Sequence, residues 1–74
     1  MNNGAYDTAF ATWLRLRMAE MNKSCTGLAA ELGTSINSVS NWRTGKQSPS
    51  PRFLIPLADK LRTKDAVIRK KLGW

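Results

Sequence analysis

The chain has 74 residues, and its twelve Lys and Arg against five Asp and Glu leave a formal net charge of +7. It has no histidine, one cysteine and no apolar run of about 18 residues, which argues against a disulfide framework, a His-based catalytic centre and a membrane span. A domain this short buries only about 60–65% of its unfolded surface, so three Trp, two Phe and regularly spaced Leu and Ile must supply the core.

Residues Met1 to Ala5 are polar and include a glycine, so they are expected to fray. From Tyr6 onward, Phe10, Trp13, Leu14, Met18 and Met21 recur at three- and four-residue steps, which predicts a first helix capped by Asp7 or Thr8 and ending near Asn22. Lys23 is a hinge, and Ser24 caps a second helix from Cys25 to Leu32 that Gly33 closes in the left-handed conformation. Ser35 caps a third helix from Ile36 to about Thr44, closed by Gly45. Ser50 and Pro51 open a fourth helix through Leu61, with Pro56 near its start at the cost of some distortion. Thr63 caps a fifth, "KDAVIRKKL", before Gly73 and Trp74. No segment alternates with period two, so the expectation is an all-α domain over residues 1–74 with five short helices.

The second and third helices form a recognisable unit over residues 24–44. For two short helices to cross steeply, the first needs a small residue at the crossing, the joint must tolerate positive φ, and the inward positions must be apolar. Ala29 meets the first condition, Gly33 the second, and Leu28, Leu32, Val39 and Trp42 the third. That is the spacing of a helix-turn-helix.

The third helix is poor helix material, rich in Ser and Asn, yet Val39 and Trp42 share one side at 100° per residue. Opposite them lie Asn37 and Asn41 with Ser40 beside them, while Ile36 and Arg43 share one flank and Ser38 takes the other. A solvated helix is usually given Glu, Lys and Gln; short groups that donate and accept hydrogen bonds instead suit base edges in the DNA major groove. No acidic residue occurs between Glu31 and Asp59, whereas Arg43, Lys46 and Arg52 fall in that gap. Phosphate contacts are therefore expected at Ser24, Cys25 and Thr26, at Ser38, and at Arg43, Lys46, Gln47 and Arg52. Base contacts are expected from Ile36, Asn37, Ser40 and Asn41, while Ser35, at the start of the third helix, attracts anions as Ser24 does.

The stretch "SCTGLAAELGTSINSVSNWRTGKQSPS", followed by "PRFLIPLADKL", resembles the lambdoid phage repressor and Cro family of helix-turn-helix proteins, the xenobiotic-response-element type. The resemblance covers roughly Phe10 to Ile68. It implies a five-helix DNA-binding domain that binds palindromic operators as a two-fold dimer. It also implies Ser35, Ile36, Asn37 and Asn41 at base-reading positions, with Lys46 and Arg52 on the backbone. Two departures stand out. The family's glutamine at the start of the second helix is Cys25 here. The family's ion pair between an Arg late in the first helix and a Glu late in the third has Met18 and Arg43 in its places, which leaves Arg43 available to DNA.

These observations favour a sequence-specific DNA-binding transcriptional regulator, a phage or prophage repressor, acting in a bacterial cytoplasm on double-stranded operator DNA. The alternative is an antitoxin or other interaction module of the same fold that binds DNA secondarily; a pulldown set against an operator titration separates the two. An enzyme is not expected, since Asp7, Glu20, Glu31, Asp59 and Asp65 form no paired motif and Cys25 has no histidine to act as its base. No metal, cofactor or small-molecule ligand is expected either. For a homodimer, residues 64–74 offer Val67 and Trp74, with Phe53 or Leu54 beside them, whereas Ile68 and Leu72 suit the core.

Overall fold

The computed structural model describes residues 8–74. Expectations for residues 1–7, including the frayed terminus and the parts given to Tyr6 and Asp7, lie outside the described residues. Five α-helices follow one another: α1 (Ala9–Glu20), α2 (Cys25–Leu32), α3 (Ile36–Thr44), α4 (Leu54–Lys60) and α5 (Asp65–Leu72), with a 3-10 turn at Pro51–Phe53 ahead of α4. Among the described residues there is no strand.

The first helix is built from strong helix formers and starts where Thr8 Oγ1 accepts the amide of Ala11 at 3.0 Å. It stops two residues earlier than its apolar spacing predicts. Asn22 takes a left-handed φ of 55°, and Lys23 N–H donates to the Met18 carbonyl at 2.8 Å, so the turn closes on the helix end. One side of α1 is buried through Phe10, Ala11, Leu14 and Met18, and this side forms the spine of the core. Helices α3 and α5 both pack on α1, α3 also on α2, and α5 also on α4.

The middle of the chain follows local chemistry closely. Ser24 Oγ accepts from the Gly27 amide and Ser35 Oγ from the Ser38 amide, so both helices of the expected pair begin at hydroxyl caps. Gly33 has φ 68° and Gly45 φ 83°, the left-handed values that let each helix stop and the chain turn sharply. Leu28, Ala29, Val39 and Trp42 are all buried, and Leu32 packs against the same core. Trp42 meets Phe53 at 5.1 Å between ring centroids, which ties α3 to the entry of α4.

The fourth and fifth helices begin differently from the expectation. Ser50 makes no side-chain cap, and Pro51–Phe53 form a 3-10 turn instead of the first turn of α4. The reason is Pro56. With α4 starting at Leu54, Pro56 occupies its first turn, where a backbone N–H has no helical partner to lose. At its far end α4 is closed by Arg62 at φ 52° and by Arg17, whose Nε and Nη2 donate to the carbonyls of Leu61 and Arg62 at 2.8 and 2.9 Å. A cation at the carbonyl end of a helix satisfies groups that would otherwise face only water. Thr63 is not the cap of α5; Lys64 holds that place without a side-chain bond, and Asp65 and the run Arg69, Lys70 and Lys71 match the helix dipole at its two ends. Ile68 is fully buried and Leu72 packs on the core.

Candidate nucleic-acid interface

Burial of Val39 and Trp42 fixes the rotation of α3, and the remaining side chains follow from it. Ser35, Ile36 and Asn37 are exposed, and Ser40 and Asn41 are half-buried. Ile36 leaves 51% of its surface to solvent at the first helical position, an apolar group on an otherwise polar face. By the 100° periodicity Asn37 and Asn41 lie opposite Val39 and Trp42 with Ser40 and Ile36 on their flank, and Ser35 stands ahead of them at the N-cap. No carboxylate belongs to α3 or to the loop after it, and Lys46, Gln47 and Arg52 are all exposed beyond its C-terminal end. Arg52 lies over the Phe53 ring, with its guanidinium carbon 4.8 Å from the centroid, so packing as well as charge holds it.

The remaining expected contact residues divide by whether they already have partners. Ser24 and Thr26 are exposed at the start of α2, where free amides and the helix dipole favour an anion. Ser38 is half-buried, and its hydroxyl lies 3.0 Å from that of Ser35, which ties the two together at the start of α3. Cys25 is half-buried beneath Arg43, whose Nη1 donates to its Sγ at 3.0 Å. Arg43, which the sequence left free for DNA, thus has a partner within the domain. Its Nε is buried without a hydrogen-bond partner, and its carbonyl accepts from Arg15 Nη1 at 2.7 Å. Where an Arg–Glu ion pair was missing, an Arg43–Cys25 contact joins α3 to α2, and Arg15 joins α1 to the end of α3.

Two features of the face were missed in the sequence. Thr44 lies on the outward side by the same 100° periodicity, and its hydroxyl donates to the Asn41 carbonyl at 3.2 Å. Gln47 returns to α3 after Gly45. Its backbone N–H donates to the Asn41 carbonyl at 3.2 Å, and its Oε1 accepts from Asn41 Nδ2 at 3.1 Å. The first had a signal in the helical spacing. The second depends on how the Gly45 turn places the loop, which no spacing rule reports.

The expected dimer residues also divide. Phe53 is corrected: only 8% of it is exposed, because it is packed on Trp42, and it offers no face to a partner. Leu54 is half-buried against the core, whereas Val67 and Trp74 are exposed. Ile55, next to Leu54 and not singled out beforehand, is 63% exposed. Elsewhere, a polar cleft is lined by Arg17, Lys23, Glu31, Lys60 and Arg62, and within it Lys23 Nζ donates to both oxygens of Glu31, at 2.8 and 3.1 Å. That bond holds the Glu31 carboxyl below its ordinary value of 4.5. Among the described residues no group of three or more His, Cys, Asp or Glu comes together, and no helix is long and apolar enough to cross a membrane.

Comparison with protein families matches a helix-turn-helix model to residues 14–68, most of the chain and all of the α2–α3 pair. No curated protein and no solved structure gives a significant match. With the capped helix pair, the left-handed Gly33 joint and the buried Leu28, Ala29, Val39 and Trp42 all in place, the chain belongs to the helix-turn-helix family of the lambda repressor and Cro type, whose members are DNA-binding regulators.

Proposed function

We propose that the chain is a small repressor of the phage or prophage kind, which binds a palindromic operator as a dimer with α3 in the major groove. The observation that carries this reading is the outward face of α3, where Ile36, Asn37, Ser40 and Asn41, with Ser35 ahead of them at the N-cap, form a polar surface in a helix without carboxylates. Asn pairs with the N6 and N7 edge of adenine, Ser adapts to several edges, and exposed Ile36 suits the methyl group of thymine. Ser24 and Thr26 on one side, and Lys46, Gln47 and Arg52 on the other, would bracket that readout with phosphate contacts, which fix register without specifying sequence. Arg43 is assigned no phosphate, because it is committed to Cys25. The phage-type assignment rests on the resemblance to lambdoid repressors and Cro.

The exposed Ile55, Val67 and Trp74 supply apolar surface for a second copy. A two-fold pair of such domains would set its reading helices about 34 Å apart, one turn of DNA. Selection of bound sites from random duplex DNA tests the reading. Enrichment of inverted repeats with half-site centres about 10 base pairs apart is the expected outcome. Enrichment of no sequence, or of single half-sites only, would contradict the operator or the dimer part respectively.

A further inference from the structure

The bonds around Asn41 bear on which base α3 reads. Its carbonyl accepts two hydrogen bonds, from the Thr44 hydroxyl and from the Gln47 amide, each at 3.2 Å. Those two bonds pin the loop after Gly45 against the last turn of the helix. The pinned loop then brings the Gln47 side chain back, so that Asn41 Nδ2 donates to Gln47 Oε1 at 3.1 Å. Asn37, the other amide on the outward face, has no side-chain hydrogen bond among the described residues.

An isolated Asn side chain can turn its amide over and exchange oxygen for nitrogen at little cost. Turning Asn41 over alone would set its oxygen against Gln47 Oε1, and Gln47 cannot turn with it while its Nε2 donates to a phosphate, which only accepts. An amide nitrogen carries two protons, and the bond to Gln47 uses one. The second proton and Oδ1 remain as a donor–acceptor pair on the edge turned from Gln47. The major-groove edge of adenine presents the complement, N7 as acceptor and the N6 amino group as donor. Guanine presents two acceptors there and cannot satisfy Oδ1.

We infer that Gln47 is a positioning residue that locks the Asn41 amide in the orientation complementary to adenine, so that the pair Asn41–Gln47 makes adenine the preferred base at one position of each half-site. The inference rests on the function proposed above and adds to the backbone contact of Gln47 a role in specificity. Its Nε2 keeps both protons and can donate to a phosphate at the same time. Asn37, which has no such partner, discriminates less sharply at its own position.

The test compares pools selected from random duplex DNA by the wild-type chain, Asn41→Ala, Gln47→Met and Gln47→Glu. Wild type is expected to show an adenine-preferring position that Asn41→Ala loses. Gln47→Met, which has no acceptor, should reduce the adenine preference at that same position by about tenfold and leave the others unchanged. Gln47→Glu keeps an acceptor at that place, so it should retain the adenine preference while its negative charge weakens binding to every duplex. Replacing that adenine by 7-deazaadenine should weaken wild type about tenfold and Gln47→Met hardly at all. Gln47 is exposed, and thermal melts by circular dichroism confirm that each variant is folded. Uniform weakening by Gln47→Met with the adenine preference intact would overturn the inference and leave the proposed function standing. A wild-type chain that selects no sequence would overturn the proposed function, and this inference with it.

Discussion

Replacing Arg43 by Met probes the least expected feature of the domain, a guanidinium turned inward onto a thiol. The substitution keeps the unbranched stem that packs between α2 and α3 and removes the charged head. Two hydrogen-bonding changes follow. The Nη1 bond to Cys25 Sγ is lost, and because sulfur is a weak acceptor this costs about 0.5 kcal/mol, the low end for a hydrogen bond. The buried Nε–H, which has no partner, is removed, and relief of such a group is worth about 1–3 kcal/mol. The Arg15 bond to the residue 43 carbonyl involves the main chain and survives. Net stabilisation of about 0.5–2.5 kcal/mol is expected, at about 4–8 °C of melting temperature for each kcal/mol in a domain of this size. Urea titration followed by tryptophan fluorescence measures it, with an unchanged slope showing that the denatured state is unaffected. Destabilisation by more than about 1 kcal/mol would refute the reasoning and show that Arg43 holds α2 and α3 together through its charge. In the same variant, the salt dependence of DNA binding should keep its slope; a loss of about 0.9 would mean that Arg43 leaves Cys25 for a phosphate in the complex.

Other positions give independent checks. Gly33→Ala places a Cβ where no atom lies within 4 Å, so its cost is that of the left-handed backbone alone, about 1 kcal/mol by urea titration, whereas a loss above about 3 kcal/mol would mean that the α2–α3 crossing itself had shifted. Trp42→Ala removes a side chain only 3% exposed and its contact with Phe53; a loss of about 3–5 kcal/mol should leave far-UV circular dichroism largely unfolded at 37 °C, and a cooperative melt close to wild type would count against the core described here. Glu31 titrates below its ordinary value because Lys23 hydrogen-bonds its carboxylate. The stability from that pair is therefore present in full above the unfolded-state value and disappears as pH falls through the lowered folded value. Wild type should melt above Glu31→Gln near neutral pH and match it in strong acid, and a gap that persists in strong acid would assign the effect to something other than the carboxylate.

Much of the fold was legible because it is written in short-range chemistry. Ser24, Ser35, Gly33 and Gly45 act on neighbours within four residues, so a cap or a left-handed stop can be recognised from the residue and its immediate context. Leu28, Ala29, Val39 and Trp42 were legible for a related reason, since helical periodicity alone assigns their side. The same reasoning placed Asn37 and Asn41 outward. It failed where a long side chain chooses among partners distant in sequence. Arg43 had no carboxylate partner in the sequence and so read as free, but Cys25, 18 positions away, lies within reach of its guanidinium once α2 and α3 cross. Phe53 read as surface because its pairing with Trp42 depends on the 3-10 turn that Pro56 imposes. The tie between Asn41 and Gln47 was hidden for the same reason, since it exists only after Gly45 has turned the chain back.

The central claim, that the face of α3 and the cations around it engage duplex DNA, is tested most directly by the affinity of the chain for its selected duplex as a function of salt. A linear fall of log affinity with log salt is expected, with a slope of about −0.9 for each phosphate neutralised. Lys46→Gln and Arg52→Gln should each reduce that slope by about 0.9 while leaving the selected sequence unchanged. A flat response to salt, or slopes unmoved by either substitution, would contradict the account.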